Sequence, residues 1–217
     1  MVQEIIGGGL SFVQLIVLLM SYAAVVFVTM PIHEWAHAFV ATKLGDNTPG
    51  WHGRLSLNPL AHLDIFGTAM LLLFGFGFAK PVPVNPRNFR NPRTGMALVA
   101  FAGPASNVLV AIFAVALCRL LLFVPLGGAL AFIESFLIIL AQVNISLAVF
   151  NLLPIPPLDG FRIASLILPS KWLFWFDRNQ QYVTFGLIAL VAFGVFDTPL
   201  AYAELGLTAA IFNLFGF

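Results

Sequence analysis

Long apolar runs dominate this chain, and the polar residues that interrupt them fall in a few short clusters. The first run, Leu10 to Val28, predicts a membrane-length helix that begins near Ser11, and its apolar register continues past Pro31 to Val40. A proline inside such a helix calls for a kink or a restart, because it lacks a donor and its ring presses on the preceding turn. Gly45, Asn47, Pro49 and Gly50 then supply turn chemistry. Between Trp51 and Pro59, Leu55 and Leu57 alternate with Arg54, Ser56 and Asn58, which predicts a short extended segment. Ala61 to Ala79 is apolar but short and carries Gly67, Gly75 and Gly77, which favours a re-entrant hairpin over a full span. Three prolines between Lys80 and Pro86 exclude a helix there. Met96 to Val124 predicts a long helix whose first half is rich in small residues, the kind that lets helices approach closely in lipid. Another helix is expected from Ala131 to Phe150. Pro154, Pro156 and Pro157 then break the chain and leave Asp159 just before a helical stretch from Phe161 to Leu168. Tyr182 to Phe196 is a further apolar segment, and Leu200 to Phe217 is weakly amphipathic.

Composition turns these runs into membrane spans. The chain is 60% hydrophobic and 9% charged, whereas water-facing surfaces need about a quarter to a third of charged residues, so lipid must cover much of it. The expected fold is an all-α polytopic membrane protein. No Lys or Arg precedes the first apolar run, so that run reads as a retained span and not as a cleaved signal. The formal charge of +1 is spread over short polar segments, which excludes nucleic acid as the main partner. Cys118, the single cysteine, lies in an apolar run and reads as a buried small hydrophobe. Basic residues gather in segments 43–54, 80–93 and 171–178 and are missing from 125–128. A re-entrant course for 61–79 puts all three on one face, the cytoplasmic one. Lys171 and Arg178 flank Trp172, Phe174, Trp175 and Phe176 in the manner of an interfacial belt.

The chemistry sits in the first helix. His33 and His37 are four residues apart, so on a helix both imidazoles lie on one face and can share a tetrahedral ion. Glu34, beside the first of them, points around the helix to act on water instead of binding metal. Three ionisable side chains within five positions of an apolar helix are costly in lipid, and such groups mark a functional interior. Asp159, held in the proline-broken segment, offers a third ligand, and two histidines, an aspartate and a water complete a catalytic zinc set with one open position. Asp159 can also serve as the cap of the following helix. His52, His62 and Asp64 are the alternative third ligands; His62 and Asp64 can equally line a water path or orient a ligand imidazole.

Several motifs together resemble the site-2 protease class of intramembrane zinc metalloproteases, in its compact bacterial and archaeal branch. They are His33-Glu-Trp-Ala-His37 followed by Leu44-Gly45-Asp46, then Gly53-Arg-Leu-Ser-Leu-Asn-Pro, Ala79-Lys-Pro-Val-Pro-Val-Asn-Pro, Ala102-Gly-Pro-Ala-Ser-Asn107 and Asn151-Leu-Leu-Pro-Ile-Pro-Pro-Leu-Asp159-Gly160. They cover residues 20 to 165 in the order the family shows. The resemblance implies a three-helix core with a small membrane-associated strand or re-entrant region, the strand falling at Arg54 to Asn58. One membrane-embedded peptidase domain is expected over 1–217, with its core at about 11–168 and further hydrophobic helices at about 180–217. The resemblance further implies one zinc ion per chain held by His33, His37 and Asp159, Glu34 as general base, and Asn151 near the substrate strand or the oxyanion. Asn107 is implied as part of a polar network in the middle helix. The expected activity is hydrolysis of peptide bonds within transmembrane segments of other proteins, in a multi-pass protein of a prokaryotic cell membrane. A non-proteolytic metal-binding scaffold or helix-binding protein is the alternative.

Overall fold

The computed structural model describes residues 11–64, 67, 80–125 and 127–217. Its first rod is α1 (Phe12–Ala24), a π-helical turn (Val25–Thr29) and α2 (Met30–Lys43), which run on as one apolar helix from Phe12 to Lys43. Ser11 opens it with a capping box: its hydroxyl accepts from the Gln14 N–H while the Gln14 amide accepts from the Ser11 N–H. Of the expected kink or restart at Pro31, the restart does not occur: the helix runs through the proline without a break. A proline inside an α-helix costs about 3 kcal/mol, chiefly because its ring meets the carbonyl four residues back. Here the wide turn stands directly before it, with the Met30 N–H bonded to the Val25 carbonyl five residues earlier, so the carbonyls are drawn away from the ring and the helix continues.

Two short helices follow, α3 (Thr48–Trp51) and α4 (Pro59–His62), and then a 3-10 turn at Pro86–Asn88. The extended stretch between α3 and α4 forms no strand, and no strand occurs among the described residues. Its leucine alternation does not report burial, since Leu55 and Leu57 are both exposed. Side chains take the place of a ladder partner: the Arg54 guanidinium donates to the Ala61 carbonyl and the His62 ring to the Ser56 carbonyl. The course of the apolar stretch within 61–79 lies outside the described residues, apart from its first positions and Gly67. Its flanking residues meet, because the Lys80 N–H donates to the His62 carbonyl at 2.8 Å.

The long helices α5 (Pro92–Leu121) and α6 (Gly128–Asn151) are the second and third that are long and apolar enough to cross a bilayer. Asn91 caps α5 by accepting from the Thr94 N–H. At 30 residues it is about 45 Å long against a hydrocarbon layer of about 30 Å, so Arg93 in its first turn and Arg119 in its last reach the polar boundaries. Beyond α6 lie α7 (Asp159–Ala164), α8 (Ser170–Arg178), α9 (Gln180–Ala192) and α10 (Asp197–Leu214). The last two bend by 79° at a break and together are long and apolar enough for a fourth, broken span or a re-entrant element. Ala111, Ala114, Val115 and Cys118 of α5 pack with Leu137, Ala141 and Ile145 of α6 and Ile211 of α10. Alanines at this seam let the backbones approach closely, as contact in lipid requires.

Hydrogen bonds collect the basic segments at one end of the bundle. Asp46, just past α2, accepts from the Asn85 N–H at 2.7 Å and the Asn88 amide at 2.6 Å, and Arg93 donates to Ser170 at 2.9 Å. The uncharged connection between α5 and α6 lies at the far end of α5.

Candidate metal centre and active site

His33 and His37 stack one turn apart on α2, with ring centroids 4.7 Å apart and planes at 85°. Asp159, from a segment more than a hundred residues later, brings its Oδ2 to 3.3 Å from Nε2 of each histidine. Two ligand atoms that each stand about 2.0–2.1 Å from zinc at a tetrahedral angle lie about 3.3 Å apart. The spacing is therefore that of two tetrahedral edges meeting at the carboxylate. Oδ2 is buried and has no hydrogen-bond partner among the described residues, a costly state for an acid unless a cation faces it. Two imidazole nitrogens and a carboxylate oxygen form the donor set of a catalytic zinc site, and this trio can hold such an ion.

Neighbouring elements fix His37 and make room for all three side chains. The Nδ1 of His37 lies 2.7 Å from the Val99 carbonyl of α5. A carbonyl only accepts, so Nδ1 carries the proton and Nε2 presents its lone pair toward Asp159. Gly103, one turn further along α5, leaves the space both imidazoles use: a Cβ there would stand 2.5 Å from Nε2 of His33 and 2.5 Å from Nε2 of His37. Gly160 does the same for Asp159, since a Cβ on it would stand 2.2 Å from the Leu152 carbonyl oxygen. Asp159 opens α7, but the helix has no side-chain cap. Its carboxylate faces the histidines instead.

A cavity of about 600 Å³ opens beside these groups and is lined by Thr29, Glu34, Val82, Asn107, Asn151 and Arg162, among others. The Asn107 side chain is buried and its Oδ1 has no partner among the described residues. Asn151 donates from Nδ2 to the Leu147 carbonyl at 2.9 Å. That bond holds the amide at the cavity wall with its oxygen and second N–H left over. Pro104, lacking an N–H, leaves the Ala100 carbonyl of α5 without its helical donor, and Ala100 lines the same cavity.

His62 and Asp64 stand apart from that cavity wall. His62 is fully buried with its Nε2 2.6 Å from the Ser56 carbonyl, and Asp64 accepts from the Gly67 N–H. His52 is exposed and bonded to the Thr48 carbonyl. None of the three joins the metal trio. The Val99 carbonyl and Gly103 carry no chemistry that a residue type announces, and the small-residue run of the middle helix and the Ala102-Gly-Pro-Ala-Ser-Asn107 motif pointed to their neighbourhood without giving them a role.

The description Peptidase family M50 matches residues 21–194. YwhC of Bacillus subtilis is 44% identical over 186 residues, covering 84% of this chain and 83% of that one. Rip2 of Mycobacterium tuberculosis H37Rv is 33% identical over 138 residues, covering 62% and 52%. MJ0611 of Methanocaldococcus jannaschii is 34% identical over 134 residues, covering 60% and 62%. All three carry names that describe candidate zinc metalloproteases. No solved structure matches the chain. The matched span takes in both histidines, Glu34, the middle helix and Asp159, and the chain belongs to peptidase family M50, in the site-2 protease class of intramembrane zinc metalloproteases.

Proposed function

We propose that this chain is a zinc-dependent endopeptidase that hydrolyses peptide bonds in transmembrane segments of other proteins. The meeting of His33, His37 and Asp159 Oδ2 at tetrahedral-edge spacing beside a cavity among membrane-length helices carries the reading. One ion per chain fits the trio, which uses a single oxygen and two nitrogens. When bound, zinc supplies Lewis acidity that polarises a scissile carbonyl and acidifies a water.

The side chains do the rest. Glu34, half-buried at the cavity wall, takes the proton of the attacking water and returns it to the leaving amine. The Val99 carbonyl keeps the proton of His37 on Nδ1, away from the metal-facing side. Asn151 is positioned to donate to a peptide carbonyl, either on the substrate strand or at the developing oxyanion. A helix satisfies its own backbone groups, so the substrate must unwind before a peptide bond reaches the site. Pro81, Val82, Val84 and Pro86, from a proline-rich stretch, line the cavity and give unwound chain a wall to lie against. The core at 11–168 with the helices of 180–217 would act as one peptidase domain in a bacterial or archaeal cell membrane.

Glu34→Gln is the direct test, run beside wild type on single-span substrates in detergent with metal analysis of both proteins. Zinc content should be equal and the cleavage rate should fall by about 10²–10⁴-fold. Equal cleavage by the variant overturns the mechanism. Equal zinc with no cleavage by either protein would leave a metal-binding scaffold.

A further inference from the structure

Helix α8 has three kinds of face, set by the helical period of 100° per residue. Leu173 and Phe176 turn inward and are half-buried. Lys171, Trp175 and Arg178, at spacings of four and three, form one exposed stripe. Trp172, 49% exposed like Trp175, lies on the flank between that stripe and the inward face. Asp177, the one acid of the helix, falls on the opposite flank. The helix is fixed in place at both ends. Arg93, in the first turn of the spanning helix α5, donates to Ser170 at 2.9 Å, so α8 starts at the membrane boundary. Phe176 stacks edge-on against Phe161 of α7 at 5.1 Å, two residues from Asp159.

The geometry points to α8 as a docking surface for the anionic lipid headgroups of the leaflet at the α5 N-terminus. Indole rings favour the boundary between headgroups and acyl chains, where the ring is apolar and its N–H is wet. Two cations on the same stripe as Trp175 stand at headgroup level when the tryptophans enter the boundary, and Arg93 adds a third at the same end. Charge complementarity therefore selects an acidic lipid surface over a neutral one. Phe176 passes the position of α8 to Phe161 and hence to the segment that delivers Asp159. Lipid docking thereby steadies the third metal ligand. This last step rests on the peptidase reading above.

The test uses the full chain in vesicles of phosphatidylcholine alone or of equal parts phosphatidylcholine and phosphatidylglycerol. In the Glu34→Gln background, where activity plays no part, the emission that is lost on Trp172→Phe/Trp175→Phe is quenched with brominated acyl chains. Brominated phosphatidylglycerol should quench it more than brominated phosphatidylcholine, and Lys171→Gln/Arg178→Gln should abolish the difference. Equal quenching by both lipids in the unmodified helix overturns the docking proposal. With Glu34 restored, cleavage should be several-fold faster in the acidic vesicles. Lys171→Gln/Arg178→Gln should lose that gain, and Phe176→Leu should lose it while keeping the quenching difference. A gain that survives Phe176→Leu overturns the link to Asp159. Absence of cleavage in every vesicle would refute the peptidase reading and leave the quenching result to decide the docking.

Discussion

Gly103 has no side chain, and that is its contribution to the site. A methyl group at this position would overlap both metal-facing nitrogens, each at 2.5 Å, and neither α2 nor α5 can retreat without breaking the His37 to Val99 bond. Gly103→Ala should therefore lower zinc content as well as cleavage, measurable by metal analysis on the folded, purified variant. That separates it from Glu34→Gln, which should keep its metal. Asp46 acts at a distance from the chemistry. Burial works against its ionisation, but hydrogen bonds from Thr48, the Asn85 N–H and the Asn88 amide outweigh it and hold the carboxyl below the usual carboxylate range. A folded-state pKa below the unfolded one gives stability that is present above the unfolded value and lost as pH falls through the folded one. Asp46→Asn should accordingly melt lower than wild type at neutral pH, with the gap closing below about pH 4. A gap unchanged in acid would show that the carboxylate charge contributes nothing.

Among the described residues few polar side-chain contacts join one element to another, so each one can be probed singly. The π-helical turn before Pro31 is tied to α6 by the Asn144 amide, which donates to Thr29 Oγ1 at 3.3 Å and to the Leu140 carbonyl at 2.8 Å. Both side chains are buried. Interhelical hydrogen bonds in lipid are worth about 0.6–1.7 kcal/mol, and Asn144→Ala should destabilise the fold by about that much in a detergent unfolding titration, with zinc content retained. The apolar runs made the three long helices legible, since a run of that length has few other solutions. The apolar register carried the first helix past Pro31, as the structure has it, but the wide turn at Val25–Thr29 was not legible, because such a turn has no residue signature. The alternation at Leu55 and Leu57 predicted an extended segment, which is what forms, but the strand that the resemblance implied there needs a neighbour, and among the described residues Arg54 and His62 donate to nearby backbone carbonyls instead.

At the scale of the molecule, the three basic segments converge on one end while the connection near Gly127 stands at the other. By the positive-inside rule, charge asymmetry of this kind gives the expectation that the basic end faces the cytoplasm. Single cysteines introduced as Asn91→Cys and Lys171→Cys should react with an impermeant maleimide from the cytoplasmic face of oriented vesicles, and Gly127→Cys from the opposite face, with Cys118 buried and silent. Labelling of Asn91→Cys and Gly127→Cys from the same side would refute this orientation. The metal trio itself was only partly legible. His33 and His37 announce themselves by spacing, and the proline break and the motif likeness singled out Asp159, but its meeting with them depends on α5 packing against both the first helix and α7, which no local pattern encodes.

The wide turn at Val25–Thr29 has a consequence for how this helix can vary. Compared with an α-helical turn it holds one surplus residue, so the faces before and after it stay in phase although the chain between them is longer by one. A homologue that lacks one residue here and also lacks Pro31 would keep the same orientation of its histidines. A homologue that lost the residue but kept the proline would have to bend. Length at this point and the identity of position 31 should therefore change together or not at all.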